Sequence, residues 1–378
     1  MDTRTPFYQI KMGDQEVASS SEDITPWVNA VSLVEDDRQA DNVTITIPDP
    51  RMIYADALFE GSYVEVDLGY ADEGQHALML RAIITKVELN YPENGVPTLS
   101  LKGEDKSILM GLEEKRKLWR NRTVSDIVRT IGQEHGFPQV EVQLDPDPNI
   151  RTQINQDGKT DLAFLQELAQ TYHAKCFVEL NEAGEEVLYF IPERRIIRLH
   201  RPETLALQYR NGPHSNLISF SPSFDSSYID RRKQMSDVDN QGNNIQSRQP
   251  PPAETFLWTL NDVYMARANQ RDRDKIHNLY NKGAASRDVL QRRLTAPRPV
   301  VGEVANDQTE IEEVNDSLEG RRLGMTASGS TFGNIWLRAK SNVQIRGVSN
   351  RFDGQWYVSN VTHKIDSGGY TTDFKCVR

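Results

Sequence analysis

A three-strand pattern occurs near the beginning of this chain and again at its end. The first set of strands is expected at 62–68, 77–89 and 98–101, and the second at 341–345, 356–365 and 371–377. In both sets apolar residues occupy alternate positions, and turns rich in Gly, Asn or Asp separate the strands. Such alternation predicts antiparallel β-meanders, and its repetition predicts two related β-modules in one chain. The alternative is that two unrelated, half-buried meanders share a general pattern.

Length and composition restrict the class of protein. A chain of 378 residues is long enough for two or three domains, each with its own core. With 37% hydrophobic and 26% charged residues, it fits neither a disordered nor a membrane protein, and no apolar run reaches bilayer length. The first residues show no signal-peptide pattern, so we expect synthesis and folding in the cytoplasm.

Charge and cysteine content exclude two further classes. The net charge of −11 argues against nucleic acid as the main partner, because phosphate backbones bind basic surfaces. The two cysteines, Cys176 and Cys376, are far apart in sequence and both lie in predicted strands. A disulfide framework is therefore excluded, and we expect two buried free thiols.

The middle of the chain predicts helices as well as strands. Thr123 is a good N-cap with Asp126 three residues later, and apolar residues then follow one helical face. A second amphipathic helix is expected to start near Thr160 and Asp161. A hairpin should follow, so that 112–199 forms a small α/β unit between β regions.

After residue 204 the pattern is β again, with three polar segments before the final meander. Residues 240–256 are rich in Asn, Gln, Ser and Pro, which predicts an exposed loop. Residues 262–294 are polar and predicted to be helical, with basic and acidic side chains interleaved. A further helix is predicted at 310–322.

Three blocks of sequence carry a family resemblance. The segments 153–156 (QINQ) and 160–169 (TDLAFLQELA) resemble the signature of phage late control protein D, which also occurs in VgrG-like baseplate hubs of contractile tails, pyocins and type VI secretion systems. The helix at 123–128 and the stretch 352–372 are similar to the same family in kind and order.

The resemblance implies an α+β, mainly β, fold with two tandem related β-barrel domains of the tail-tube type. A small α/β domain would be inserted between them, with a helical and loop insertion in the second. The implied boundaries are 1–111 for the first barrel, 112–199 for the α/β domain, 200–235 with 300–378 for the second barrel, and 236–299 for the insertion.

The function that the resemblance implies is a structural, non-enzymatic baseplate hub. Family members are homotrimers whose six barrels form a symmetry adaptor between a hexameric tail tube, or tube initiator, and a trimeric spike. Tape-measure and baseplate wedge proteins are further candidate partners. Because this chain ends at Arg378, where VgrG proteins continue into a needle, we expect a separate spike protein. The particle would be a phage tail, a tailocin or another injection system, and the protein would reside in its baseplate.

Candidate catalytic or ligand residues are few, and each has a plainer interpretation. His173 and Cys176 could form a nucleophilic pair, but no helix start or glycine-rich loop lowers the thiol pKa, so packing is favoured. The segment 237–242 begins like a calcium loop, yet Arg248 stands where a bidentate Glu is needed, which favours a hairpin turn. His363 and Trp356 are interpreted as packing residues.

Two charged groups complete the set. The acidic residues, which suggest a solvated helix face rather than an acid/base or metal site, are Glu310, Glu312, Glu313 and Asp316. The basic residues, which suggest a salt-bridged surface or subunit contact rather than DNA or tape-measure contact, are Arg267, Arg271, Arg273, Lys275, Arg287, Arg292, Arg293 and Arg298. We therefore predict no catalytic, cofactor-binding or metal-binding residue and no cofactor.

Two other classes of function stay open. A tail-associated cell-wall hydrolase would need a cleft with an acid or metal constellation. A receptor- or carbohydrate-binding module would expose clustered aromatic residues, whereas the five Trp residues here are scattered along the sequence.

Overall fold

The computed structural model describes most of the chain. It covers residues 4–13, 21–58, 60–72, 74–144, 151–172, 174–196, 205–209, 212, 215–229, 233–234, 236–238, 244–246, 265, 268–295, 298–299, 323–349 and 351–378. The chain divides into two compact units. Unit 1 consists of Met1–Glu203, Gly329–Ser341 and Val358–Lys375, and unit 2 consists of Thr204–Ser328, Asn342–Tyr357 and Cys376–Arg378.

Strands dominate both units, so the predicted α+β, mainly β, class is confirmed. The strands in the first half are β1 (Pro6–Gly13), β2 (Glu22–Asp23), β3 (Ala30–Asp36), β4 (Asn42–Pro48), β5 (Tyr63–Tyr70), β6 (Gln75–Asn90), β7 (Thr98–Glu104), β8 (Glu114–Arg122), β9 (Gln139–Val142), β10 (Arg151–Thr160), β11 (Ala174–Leu180) and β12 (Glu186–Pro192). Those in the second half are β13 (Leu205–Gln208), β14 (Leu217–Ile229), β15 (Lys233–Gln234), β16 (Ser236–Val238), β17 (Asn244–Gln246), β18 (Arg298–Pro299), β19 (Leu323–Phe332), β20 (Ser341–Arg346), β21 (Gly354–Asp366) and β22 (Gly369–Val377).

Helices are fewer and short. They are α1 (Val124–Glu134), α2 (Asp161–Thr171), α3 (Glu193–Ile196) and two consecutive helices, Gln270–Lys282 and Ala284–Thr295, with 3-10 turns at Thr25–Trp27, Tyr54–Asp56 and Lys106–Gly111. The predicted helix at 310–322 lies outside the described residues.

The main sheet of unit 1 has the strand order β19-β22-β21-β3-β4-β7-β6-β5-β1-β2. Its residues alternate between core and surface as the sequence predicts: Val43, Ile45 and Ile47 on β4 are fully buried, and the residues between them are not. Neighbouring strands from β1 to β7 pair antiparallel. The pairs β3–β4, β5–β6 and β6–β7 are joined by short connections, whereas β1–β5 and β4–β7 join strands that are distant in sequence. Both predicted meanders are present as strands, β5–β7 and β20–β22.

The α/β part of unit 1 has a separate core. Strands β11, β12 and β9 form a three-stranded sheet, and β8 and β10 form a two-stranded antiparallel ribbon. Helices α1 and α2 bury Ile127, Val128, Phe164 and Leu165 in this core. The two predicted helices and the predicted hairpin are therefore confirmed, whereas β8 and β10 were not predicted as strands.

Helix α1 begins with the predicted capping box. The Thr123 hydroxyl accepts a hydrogen bond from the Asp126 N–H at 3.1 Å, and the Asp126 carboxylate accepts one from the Thr123 N–H at 3.4 Å. Two backbone donors that the helix itself cannot satisfy are satisfied in this way.

We expect the substitution Thr123→Ala to lower the free energy of unfolding by about 1 kcal/mol, because the cap is lost. Thr130, on the same helix, donates only to the Asp126 carbonyl, so Thr130→Ala is the matched control and should change stability little. Urea titrations followed by circular dichroism would compare the two variants. Equal losses in both would show that the cap does not stabilise the helix.

In unit 2, β13 pairs parallel with β20, and β20 also pairs with β21. One segment corrects the predicted exposed loop at 240–256: Asn244–Gln246 is a strand, because its backbone pairs antiparallel with that of β16. This pairing agrees with the hairpin interpretation of 237–242. The two units are compact groups of residues, and their limits differ from the predicted domain limits. The predicted barrels at 1–111 and at 200–235 with 300–378 therefore stay a prediction.

Candidate functional site

Unit 1 contains a cluster of six ionisable side chains that come from five separate parts of the chain; five of them are buried, and the sixth, Arg338, is 17% exposed. We call it the buried charge cluster: Glu35, Asp41, Asp105, Glu179, Arg338 and Lys340. Glu35 lies on β3, Asp41 and Asp105 flank β4 and β7, and Glu179 lies on β11. The two basic residues lie on the loop between β19 and β20.

Lys340 is at the centre of this cluster and is 1% exposed. Its ammonium group donates to both carboxylate oxygens of Asp41, at 3.0 and 3.1 Å, and to Glu179 at 3.0 Å. The backbone of Lys340 is in the left-handed region with φ +59°, which is unusual for a residue with a side chain. Its N–H donates to the Val358 carbonyl at 2.9 Å, so both backbone and side chain hold this conformation.

Arg338 contacts the carboxylates of Glu35 and Glu179. Its guanidinium group pairs with Glu35, lies 3.6 Å from the Glu179 carboxylate and donates to the Met79 carbonyl at 3.3 Å. The other carboxylate oxygen of Glu35 accepts from the Ala339 N–H at 2.9 Å. The loop that carries both cations is therefore bound to β3 and β11 through charged groups.

The cluster holds four carboxylates and two cations, and this imbalance shows in the pKa values. Burial raises the pKa of Glu35, Asp41 and Asp105, against the lowering effect of the neighbouring cations and N–H donors. Burial alone would lower the pKa of Lys340, but attraction to Asp41, Glu179 and Glu35 raises it. Lys340 is therefore protonated, and its attraction to the carboxylates offsets part of the free energy that their burial costs.

A small cavity of about 10 Å³ adjoins the cluster, lined among others by Asp105, Cys176 and Lys340. It has room for about one water molecule, so no organic substrate fits. The arrangement can fasten a loop to two sheets, and it offers no accessible acid or base.

The environment of the Cys176 thiol does not favour a nucleophilic pair of His173 and Cys176. His173 lies outside the described residues. Cys176 is a free thiol on β11, and burial, with a further contribution from the Asp105 charge, raises its pKa to about 12. A thiol with that pKa is protonated at neutral pH and is a poor nucleophile. Cys376 is also a free thiol and is buried, with its pKa raised by burial.

His363 and Trp356 are both fully buried, as expected for packing residues. In unit 1 the His363 ring nitrogen Nδ1 forms hydrogen bonds with the hydroxyls of Tyr370 at 2.9 Å and Thr372 at 3.2 Å. Burial lowers the pKa of His363 to about 3, with a contribution from the Arg338 charge, so the ring is neutral at physiological pH. In unit 2 Trp356 packs edge-on against Phe220.

The remaining candidates do not form a site among the described residues. Most of the 237–242 segment and all of Glu310, Glu312, Glu313 and Asp316 lie outside them. In the described part of the chain, no group of three or more His, Cys, Asp or Glu residues is arranged to hold a metal ion.

The basic residues at 271–292 lie on the two consecutive helices Gln270–Lys282 and Ala284–Thr295, which confirms the predicted helical region where it is described. Arg267 lies outside the described residues. Within the described part of the chain, Arg271, Lys275 and Lys282 form no ion pair, although the sequence suggested a salt-bridged surface. Asp272 and Asp274 instead accept hydrogen bonds from Asn269 and Gln270.

A second surface of unit 1 collects large apolar side chains that are exposed. We call it the exposed apolar end; its members are Trp27, Met52, Ile53, Leu89, Tyr91 and Val96, with exposed fractions from 39% to 56%. They belong to three segments: the 3-10 turn before β3, the loop after β4, and the β6–β7 turn with the end of β6. Because β3 starts, β4 ends and β7 starts at the same edge of the sheet, the segments meet there.

Direct contacts hold these three segments together. The Asp49 N–H donates to the Pro97 carbonyl at 2.8 Å, which joins the loop after β4 to the β6–β7 turn. The buried Asp49 carboxylate accepts from the Ile53 and Tyr54 N–H groups at 2.9 and 3.1 Å. The Trp27 and Tyr54 rings stack with their centroids 4.7 Å apart. The apolar side chains are therefore displayed on a fixed surface, which is typical of protein interaction sites.

Sequence reasoning found neither the buried charge cluster nor the exposed apolar end. One signal for the cluster was present, because Glu35 shares the buried face of β3 with Val31 and Leu33. A charged residue in that position indicates either that this face of the strand is exposed or that the charge is buried in an ion pair. The exposed apolar end had no such signal, since its members come from a 3-10 turn, two connections and the last turn-side residues of β6, which share no periodic pattern.

Among solved structures, the chain is similar to a tail protein from Neisseria meningitidis MC58, with a TM-score of 0.61, 13% identity, and coverage of 98% of this chain and 96% of the other. It is also similar to the 43 kDa tail protein of prophage MuSo2 from Shewanella oneidensis, with a TM-score of 0.60, 12% identity and 98% coverage of both chains.

A third similar structure is the c3393 protein of E. coli, a component of the type VI secretion system with structural similarity to the T4 bacteriophage tail proteins gp27 and gp5. Its TM-score is 0.57 at 11% identity, covering 97% of this chain and 76% of the other. At these identities the likeness shows a shared fold. No match was found among curated proteins. Of the helices in the described part of the chain, none has the length and apolar character needed to cross a membrane.

The family comparison extends over most of the sequence. The model of the phage tail baseplate hub family (GPD) matches residues 43–369, which include the strands from β5 to β21 and the α/β part. The predicted resemblance to late control protein D and VgrG-like hubs is thereby confirmed. The chain belongs to the phage tail baseplate hub family.

Proposed function

We propose that this protein is a structural, non-enzymatic hub that joins a hexameric inner tube to a trimeric spike in the baseplate of a contractile tail or injection system. It would act as a homotrimer, made in the bacterial cytoplasm and assembled into the particle. Membership of the baseplate hub family supports the location.

The observation that carries the proposal is the exposed apolar end. Six large apolar side chains at one edge of a sheet lie on three segments that are joined by a hydrogen bond and by stacked rings. A lone protein gains nothing from this exposure, whereas a subunit that stacks on a neighbouring ring buries the surface on assembly. We assign this end of unit 1 to the contact with the tube or tube initiator.

The mechanism of the adaptor is geometric. If the meanders at β5–β7 and β20–β22 each belong to a tube-like barrel, three chains supply six similar barrels. We propose the barrels at 1–111 and at 200–235 with 300–378, the α/β domain at 112–199 and the insertion at 236–299. A closed ring leaves no strand edge free to aggregate, which is an advantage for a chain with this many strands.

The oligomer is the first test. Light scattering and electron microscopy of the purified full-length protein should give the mass of three chains and a ring with six lobes. A monomer at micromolar concentration, or a particle of another symmetry, would refute the adaptor model.

The exposed apolar end can be tested separately. The variant Ile53→Ser should reduce co-sedimentation with the tube protein of the same particle by roughly tenfold, because a buried aliphatic side chain contributes about 1–3 kcal/mol to such a contact. Ile218→Ser is the matched control, since Ile218 has a similar exposure, 46% against 52%, and lies in unit 2. If both variants bind the tube protein as well as the wild type, the assigned surface is wrong.

A further inference from the structure

The two helices Gln270–Lys282 and Ala284–Thr295 behave as one structural element, which we call the basic helix pair. The Gly283 N–H between them donates to the Leu279 carbonyl at 3.1 Å, and the Arg287 N–H donates to the Gly283 carbonyl at 3.0 Å. The Arg287 guanidinium lies 3.9 Å from the centre of the Tyr280 ring and also binds the Tyr280 carbonyl. These contacts cross the junction and hold the two helices in a fixed relation.

The basic helix pair presents apolar side chains to solvent. Ile276, Leu279, Val289 and Leu290 are 37%, 70%, 46% and 42% exposed, and no residue of the first helix is buried. Ile276 and Leu279 are three residues apart, and Leu290 follows Ile276 by fourteen, so all three fall on one side of a nearly continuous helix. An amphipathic helix in a soluble protein normally buries such a stripe.

The charge of the pair is opposite to that of the rest of the chain. Residues 270–295 contain seven Lys or Arg and three Asp, whereas the whole chain contains 44 basic and 55 acidic residues. Arg271, Lys275 and Lys282 form no ion pair within the described part of the chain. The surface that covers this stripe should therefore combine apolar contact with acidic side chains.

We propose that the basic helix pair docks on an acidic surface of a second copy of this chain. A closed ring of identical subunits is built from heterologous contacts, in which two different surfaces meet at every interface. In this chain the basic helix pair would be one of the two surfaces, and an acidic surface elsewhere on the neighbouring copy would be the other. Pairing of the helices with their own copies is disfavoured, because it would bring like charges together. The inference rests on the proposed homotrimer and names the element that closes it.

An exposed leucine on each unit allows a matched test. The variant Leu279→Ser removes the most exposed member of the stripe, and Leu112→Ser removes a leucine of nearly the same exposure, 71%, in unit 1. Both side chains lie in water, so both variants should fold, as circular dichroism would verify. Sedimentation equilibrium of the full-length protein should show association about tenfold weaker for Leu279→Ser and unchanged for Leu112→Ser.

Charge reversal provides an independent test of the same contact. The double variant R271E/K275E should weaken association strongly and make it less sensitive to salt, because attraction to acidic groups is lost. The double variant R129E/K375E makes the same change in net charge at exposed positions of unit 1 and should associate like the wild type.

The outcomes separate this inference from the proposed function. A wild-type trimer that Leu279→Ser and R271E/K275E leave unchanged would overturn the inference alone; binding of another tail protein to the stripe would then be the alternative. A wild-type protein that is monomeric at all accessible concentrations would overturn both.

Discussion

The substitution Lys340→Met is expected to lower the free energy of unfolding by about 3–5 kcal/mol, because it leaves four buried carboxylates with a single guanidinium group. In the native protein the Lys340 ammonium donates three hydrogen bonds of 3.0–3.1 Å to Asp41 and Glu179. Methionine has a similar length and no charge, so the change tests the charge rather than the volume. Chemical unfolding followed by circular dichroism would measure it.

The matched control is Lys364→Met. Lys364 also forms an ion pair at 3.0 Å, with Asp373, but both side chains are nearly half exposed. Water screens this pair, and its loss should cost less than about 1 kcal/mol. If the two variants lose the same stability, burial of the cluster is not the reason for its strength.

The pH dependence of Lys340→Met gives a second measurement on the same variant. In the wild type, burial already raises the pKa of Glu35, Asp41 and Asp105 above that of the unfolded chain. Removal of Lys340 raises these pKa values further, so the folded variant binds protons more tightly than the unfolded one. Stability is then lost as the pH rises from the unfolded pKa through the folded pKa. The deficit relative to wild type should be larger at pH 8 than at pH 5; a constant deficit would contradict the model.

Strands and helix starts were predictable where the residues that determine them all lie within one short segment. The alternation of Val43, Ile45 and Ile47 places β4, and the Thr123–Asp126 box starts α1 at the observed residue. In both cases the interaction that determines the structure lies within a few residues of sequence. The family resemblance then added the order of elements over most of the chain.

The ribbon of β8 and β10 was missed for a physical reason. On β8 only Trp119 is buried, and the remaining residues of EKRKLWRNR are mostly charged and partly or fully exposed. Such a strand is stabilised by backbone pairing and by ion pairs such as Lys115–Asp161 and Lys117–Glu134, which leave no alternating apolar signal. Charged strands of this kind are visible only once their partner is known.

The buried charge cluster could not be predicted because its members come together only in the tertiary structure. Arg338 lies about three hundred residues from Glu35 and Asp41 in sequence, and Glu179 lies between them. Each residue alone is an ordinary surface type, and only Glu35 occupied a conspicuous position on a buried strand face. The ion pairs join residues that are distant in sequence, and hydrophobic periodicity within one segment carries no information about such contacts.

The other large effect is expected in unit 2, where Trp356→Ala should lower the free energy of unfolding by about 3–5 kcal/mol. Trp356 is fully buried, packs edge-on against Phe220 at a centroid distance of 5.5 Å, and donates from its indole nitrogen to the Phe352 carbonyl at 2.9 Å. Trp356→Phe keeps most of the buried ring and loses the hydrogen bond, so its cost should be roughly 1–2 kcal/mol. Thermal unfolding by far-UV circular dichroism compares the variants without relying on tryptophan emission. If alanine and phenylalanine are equally destabilising, the indole hydrogen bond stabilises this meander and the ring packing does not; if neither matters, β14 and β21 do not share a core around Trp356.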